Sequence, residues 1–484
     1  MEELKLDLSN LSKAFPDNFT QEQRAKAQTL FLKKLSHDAH LFYKGKIQII
    51  PKAPLYGFNW YSVWYSPGVS MISTTIRDNN NSSLELTCRG NMVGVVSDST
   101  RVLGDGDCTP PGGLGVMEGK AFLMKYLGGV DSFPLCIDSK GANGKNDPEK
   151  IIEFVKMVQH SFGAINLEDI SQPNCFKVLD DLREACDIPV WHDDAQGTAC
   201  VTLAGVLNAL KLVNKKLSDV RIVMLGAGAS MTTIARLLIT DGADPKKLVL
   251  FDSKGSLHKG RTDIQQDKRF YRKWELCEST NPEAYPDEAA ALKGADILLA
   301  ASTPGPDTVK PEWVKSMAPK SIVFACANPV PEIYPYAAKE AGAYIVGTGR
   351  GDFPNQVNNS VCFPGILKGA LLVRASKITD NMAIRASHSI ADFAEKKGID
   401  PDHIMPTMDD SGVFIEQAAD VAMQAIKDGV ARVKLSREEV YNAAKADIES
   451  THALYKSITD NGFIKEPPKN MLSDALKYAV DKVK

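Results

Sequence analysis

The sequence predicts an α/β protein: a Rossmann-like, doubly wound parallel sheet, a mixed α/β substrate domain before it, and a helical C-terminal extension. Three observations carry this. Strand and helix patterns alternate from about residue 195 to 372, as a parallel sheet with crossover helices requires. A glycine turn, Gly226-Ala-Gly228, joins a strand-like run to a helix-like one. Beyond about Val373 the apolar residues follow helical spacing. The expected boundaries are 1–194 for the substrate and metal domain, 195–372 for the dinucleotide domain and 373–484 for the extension.

Taken in order, the first part mixes helices with short strands such as Val93-Gly-Val-Val and Phe133-Pro-Leu-Cys-Ile. Trp64-Tyr65-Ser-Pro-Gly68 reads as a turn whose tyrosine hydroxyl could face a cleft, although a turn tyrosine is more often structural. Gly112-Gly-Leu-Gly115 reads as a flexible cluster ahead of an apolar-striped helix, with Lys120 near its start and facing inward. Desolvation opposes a buried ammonium unless it is paired or functional, and snorkelling to solvent is the commoner outcome. The polar run 138–148 predicts an exposed loop before a helix from Glu149 to His160.

Asn166-Leu-Glu168-Asp169 and His192-Asp193-Asp194 follow, two apolar-flanked acidic doublets 25 positions apart. Crowded carboxylates must be hydrogen-bonded, paired or bound to a cation. Any one of them alone would read as a surface or capping acid. Two doublets just ahead of a nucleotide-binding pattern point to oxygen ligands for a hard divalent ion such as Mg²⁺ or Mn²⁺.

In the dinucleotide pattern, Gly226 permits the tight turn, and Gly228 lets a pyrophosphate approach the backbone and helix N-terminus at Ala229-Ser230. Asp252 closes the next strand, where an acid can bind ribose hydroxyls. Met231 stands where a third small residue is usual. Later strands are expected at 296–302, 321–327 and 343–347, with 260–287 a polar surface excursion. Asn328 and the pair Asn358-Asn359 follow two of these strands. Carboxamides there can bind carboxylates or nicotinamide, with turn formation an equal rival. Helices are expected over Phe414–Lys427 and Arg437–Asp460, and Pro467-Pro468 precedes a short last helix.

Composition is that of ordinary globular material, with 44% hydrophobic and 24% charged residues. A formal charge of −3 argues against a broad nucleic-acid surface. Nine cysteines, none in a C-x-x-C pair, fit reduced thiols rather than a disulfide framework. The start lacks signal-peptide character and no apolar run of membrane-spanning length is expected. The expectation is a cytoplasmic protein without membrane or nucleic-acid partners.

These segments together resemble the malic enzyme family, in its short, prokaryote-type branch, from about Tyr56 to Pro468. The markers are Tyr65-Ser-Pro-Gly-Val, Ser97-Asp-Ser-Thr-Arg101, Val116-Met-Glu-Gly-Lys120, Asn166-Leu-Glu168-Asp169 and His192-Asp193-Asp194-Ala-Gln-Gly-Thr. They continue with Gly226-Ala-Gly228-Ala, Asn328-Pro-Val-Pro-Glu and Pro354-Asn-Gln-Val-Asn358-Asn359. The resemblance implies oxidative decarboxylation of L-malate to pyruvate and CO₂ with reduction of NADP or NAD, using Mg²⁺ or Mn²⁺, in a homodimer. Residue by residue, it implies Glu168, Asp169 and Asp194 as metal ligands, Lys120 as general base and Asp193 as the acid that tunes it. Tyr65 would protonate the enolate. Arg101, Asn328 and Asn359 would bind substrate. Gly226, Gly228, Ala229, Ser230, Asp252, Ser253, Lys254, Asn328 and Asn358 would line the cofactor.

Two positions depart from the family pattern, Asp105 in the glycine-rich loop and Met231 in the fingerprint, and neither carries a chemical step. Cofactor choice is divided. Asp252 disfavours a 2′-phosphate, whereas Ser253-Lys254-Gly255 goes with NADP in the resemblance, which tips the expectation towards NADP. A non-oxidative enzyme turning malate into lactate would share these motifs. A silent dinucleotide or dicarboxylate sensor would not need acid, base and metal together.

Overall fold

The computed structural model describes residues 4–103 and 105–484, so Gly104 of the glycine-rich loop lies outside the described residues. The chain divides into two compact units, 51–451 and 1–50 with 452–484. The smaller unit pairs the helices Gln21–Tyr43 and Met471–Val483 around Phe15, Phe31, Ala475 and Ala479. Thr20 opens the first of these with a reciprocal capping box to Gln23.

The larger unit contains two sheets. The first has the order β2-β1-β3-β4, all parallel, from Met92–Ser97 (β1), Asp131–Cys136 (β2), Ala164–Leu167 (β3) and Val190–His192 (β4). The second runs β10-β9-β8-β5-β6-β7, from Ile222–Leu225 (β5), Leu248–Asp252 (β6), Gly255–Ser256 (β7), Ile297–Ala300 (β8), Ile322–Ala325 (β9) and Ile345–Thr348 (β10). Only β7 is antiparallel, against β6. The interior strands are buried on both faces, hence their unbroken Val, Ile and Leu content. A helical C-terminal region follows, with the helices Asp380–Lys397, Ser411–Lys427 and Arg437–Asp460. The predicted fold class is therefore the observed one.

Local expectations are corrected in three places. The glycines at 112, 113 and 115 lie inside the helix Thr109–Gly128 rather than before it, so Lys120 is mid-helix. Packing overrides glycine's poor helix propensity there: a Cβ on Gly113 would sit 2.0 Å from Ser99 Oγ. The stretch 260–287 is not irregular, since it holds the helix Tyr271–Ser279, which buries Leu276 and Cys277. Finally, one helical stretch, Asp193–Val213, is long and apolar enough to pass for a membrane span. With 78% of that window buried inside the fold, it is a core helix covered by protein rather than lipid.

Candidate active site

The acidic doublets meet because β3 and β4 are parallel neighbours in register, Leu167 opposite His192. Each strand ends one residue before its doublet, so Glu168-Asp169 and Asp193-Asp194 emerge side by side at the carboxyl edge of the sheet. That edge is where α/β folds place their sites. A single helical crossover, Asn174–Ala185, supplies the return.

Beyond the strands the backbone departs from regular geometry. Asp169 adopts φ 54°, the left-handed region that aspartate tolerates better than most residues. Its N–H thereby donates to Asp194 Oδ2 at 2.7 Å, and its carbonyl accepts from Arg101 N at 3.0 Å. Asp193–Gly197 forms a π turn before the core helix Thr198–Val213, a distortion common at functional sites. Gly197 is required there, because a Cβ would lie 2.0 Å from Asp193 Oδ1 and 3.2 Å from Asn359 Cβ. The same contact brings Asn359 to the acidic cluster.

Glu168, Asp169 and Asp194 offer oxygen atoms that all lie within 4.8 Å of one another. Asp169 Oδ2 is buried with no hydrogen-bond partner among the described residues. Burial, then the charge of Asp194, pushes the Glu168 carboxyl well up and Asp169 up to about 8. Crowding of this kind is what a hard divalent ion relieves, and the three carboxylates fit one.

Lys120 reaches the same cluster. Its Nζ donates to Asp193 Oδ2 at 2.5 Å, lies 3.0 Å from Glu168 Oε1 and sits 4.5 Å above the Phe363 ring. Burial alone would lower its pKa, but the charges of Asp193 and Glu168 outweigh burial and hold it up. In turn, Asp193 Oδ1 accepts from Trp191 Nε1 at 3.2 Å, and Glu168 Oε2 accepts from Asn166 Nδ2 at 2.9 Å. Burial pushes the Asp193 carboxyl up and the His192 imidazole down.

The nucleotide side adjoins this cluster. Gly226 takes φ 107°, and a Cβ there would lie 2.5 Å from the Ala301 carbonyl. Around Gly228, by contrast, a Cβ would meet nothing, which leaves room for a ligand at the N-terminus of the helix Ala229–Thr240. Ser230 Oγ donates to the Asp194 carbonyl at 2.9 Å, tying that helix start to the acids. Met231 is buried in the core behind it. Asp252 ends β6, and Ser253-Lys254 turns into β7. The Asp252 carboxylate accepts from Arg261 Nη1 and Nη2, at 2.9 and 3.0 Å, and from Lys254 N, with Lys273 Nζ 3.6 Å away.

The remaining expected residues lie outside the buried cluster, although Arg101 touches it through its backbone N–H. The side chain of Arg101 is exposed, as is Asn328. Asn358 caps a turn by accepting from Ser360 N at 2.9 Å. Tyr65 is 75% exposed. Sequence reasoning missed Trp191, Asn166 and Phe363 as supports of the acids and lysine. The first two alternate with the doublets along β3 and β4, and that spacing was the available signal.

Comparison with known proteins decides the family. Residues 44–183 match the malic enzyme N-terminal domain and residues 195–428 the malic enzyme NAD-binding domain. The chain belongs to the malic enzyme family. It is 42% identical to a bifunctional malic/malolactic enzyme of Bacillus subtilis (strain 168) over 83% of this chain and 95% of that one. To an NADP-dependent malic enzyme of Escherichia coli (strain K12) it is 38% identical, over 85% of this chain and 54% of that protein. The crystal structure of Entamoeba histolytica malic enzyme superposes with a TM-score of 0.98 at 66% identity, covering all of both chains. An NAD-dependent malic enzyme of Geobacillus stearothermophilus, 41% identical over 80% of this chain and 78% of that protein, puts both cofactor types among its homologues.

Proposed function

We propose that this chain catalyses metal-dependent oxidative decarboxylation of L-malate to pyruvate and CO₂, reducing NADP in preference to NAD. The observation that carries the reading is the bridge from Lys120 Nζ to Asp193 and Glu168, which sets a base against a three-carboxylate cation site. Glu168, Asp169 and Asp194 would hold Mg²⁺ or Mn²⁺. When bound, that ion supplies Lewis-acid polarisation of the substrate oxygens.

The protein's own groups then account for the protons. A cation at Glu168, Asp169 and Asp194 would offset the carboxylate charge that holds the Lys120 ammonium protonated, and neutral Lys120 would then take the C2 hydroxyl proton while a bound nicotinamide would supply the hydride acceptor. Asp193 fixes the lysine, itself held by Trp191. Breaking C3–C4 releases CO₂ and leaves an enolate, which Tyr65 protonates at C3 to give pyruvate. Asn359, beside Asp193, and Arg101, on the loop bonded to Asp169, are the substrate-binding candidates, with Asn328 and Asn358 towards the nicotinamide.

Support for NADP comes from the β6–β7 turn. Asp252 is already engaged by Arg261 and Lys273 and has little capacity left for ribose hydroxyls, while Lys254 is exposed beside it. Nine free cysteines support a reducing, cytoplasmic setting, and we extend the reading to a homodimer. The test is reduced-nicotinamide absorbance with L-malate, Mn²⁺ and each cofactor, alongside pyruvate quantitation. Equal amounts of reduced cofactor and pyruvate are expected, faster with NADP. The bifunctional Bacillus relative favours a second reading, malate conversion to lactate, and lactate without net cofactor reduction would select it. Failure to bind Mn²⁺ would leave only a sensor.

A further inference from the structure

The strand order of the second sheet divides its carboxyl edge in two. β6 and β7 lie on one side of β5, and β8, β9 and β10 on the other. A dinucleotide lies across such a reversal, one half on each side. Asp252 and Lys254 occupy the β6 side, where the acid that binds ribose hydroxyls stands. The loops after β8, β9 and β10 therefore face the other half, the nicotinamide.

The first two of these loops are joined by one carboxylate. Glu332 is 0% exposed. Its Oε1 accepts from Ser302 N at 2.6 Å and Ser302 Oγ at 3.1 Å, in the loop after β8. Its Oε2 accepts from Ala327 N at 3.0 Å, in the loop after β9. These donors are all neutral, so a buried charge is held here by hydrogen bonds, which is costly unless both oxygens stay satisfied. Each end of the clamp bears on a residue already placed at the cofactor. The Ser302 loop packs on the glycine turn: a Cβ on Gly226 would lie 2.5 Å from the Ala301 carbonyl and 3.5 Å from Ser302 Cα. Ala327 precedes the exposed Asn328, whose Nδ2 would lie 2.8 Å from a Cβ on Gly349, after β10. Arg350, bonded twice to Asp352, donates from Nη1 to the Pro329 carbonyl at 2.6 Å and so holds the far side of Asn328.

We infer that Glu332 is a positioning residue for the nicotinamide, fixing Ser302 and Asn328 relative to each other on that side of the crevice. This rests on the proposed use of a nicotinamide cofactor with Asn328 towards its ring. The two carboxylate oxygens are what the task requires. A glutamine of the same shape has one acceptor oxygen and one NH₂ donor, so either Ser302 N or Ala327 N would face another donor and its loop would be released. The β6 side takes no part in the clamp and should not feel the change.

Ligands with and without the ring test it. ADP-ribose and its 2′-phosphate, which lack only the nicotinamide, should bind Glu332→Gln within about twofold of wild type. Bound NADH or NADPH should lose part of the fluorescence gain that reports a held dihydronicotinamide, and malate-dependent kcat should fall about 10- to 100-fold. Weakening of the ring-free ligands as large as the loss in kcat would mark a general support of the fold, and unchanged fluorescence with unchanged kcat would mark no role at the ring. Either overturns the inference. Should Glu332→Gln not fold, Ser302→Ala removes the hydroxyl donor alone, with a fall in kcat of about two- to fivefold expected, and the same outcomes overturn it. Wild-type protein that reduces neither cofactor would instead sink the cofactor reading, which a silent result from the variants leaves standing.

Discussion

The acidic cluster and the exposed aromatic stretch Tyr56–Tyr65 show opposite treatments of costly side chains. In the cluster, charged groups that solvent would welcome are buried and held by one another: Lys120 by Asp193 and Glu168, Asp193 by Trp191, Glu168 by Asn166. In that stretch, rings that solvent disfavours are left exposed, with Tyr56 packed on Trp60, Trp60 on Trp64, and Trp64 Nε1 donating to the Pro54 carbonyl. The buried charges are each held by a named partner, whereas the exposed rings have only one another. A charge inside and an aromatic face outside are both departures from the ordinary partition, and both mark function.

Substitutions can break this contrast in order of effect. Lys120→Ala should lower kcat by about 10³-fold while Mn²⁺ affinity stays near that of the parent, read by steady-state kinetics and metal titration. Undiminished turnover would remove Lys120 from the mechanism. Glu168→Gln should act the other way round, weakening Mn²⁺ by at least the roughly 10- to 100-fold that loss of a ligand's supporting partner costs, and calorimetric titration checks it. Removing Mn²⁺ with a chelator should cost the wild type about 2–3 kcal/mol of stability relative to saturating ion, seen as a fall in Tm that Asp194→Asn largely abolishes.

Away from the cluster the effects shrink. Lys254→Ala should raise the NADP Kd by about tenfold, near 1.4 kcal/mol, without changing that for NAD. The smallest effect is a pH dependence. Burial raises the Asp252 pKa, but hydrogen bonds from Arg261 and Lys254 N and the nearby cations outweigh it, so the net value is low. A depressed folded pKa contributes stability above the ordinary aspartate range and loses it as pH falls through the folded value. Arg261→Ala should therefore flatten the acid limb of the Tm profile below about pH 4, and an unchanged limb would show that the pair contributes nothing.

Much of this was legible beforehand. The sheet was readable in β5, β6, β8 and β9, because doubly buried strands carry continuous Val, Ile and Leu runs. The acids were readable because a doublet beside apolar residues is costly without a purpose. What failed depended on tertiary packing. Gly113 looks like a helix breaker until Ser99 is seen to need its missing side chain. The helix Tyr271–Ser279 hides in a polar stretch because it buries only one side. Tyr65 was legible as a residue type and not as a position, since nothing local tells an exposed turn from a buried one. Arg261 stayed unassigned because its partner Asp252 is nine positions away across β7.

The distances along the chain imply an order of assembly. Asp169 and Asp194 are separated by 25 residues, whereas Lys120 and Asp193 are 73 apart. Loop closure grows costlier with length, though only by about 0.6 kcal/mol per doubling, and low contact order favours early formation. A refolding chain should thus acquire its cation site first and its base second. Metal affinity would then recover ahead of turnover, and the two recoveries followed in one refolding experiment would separate in that order.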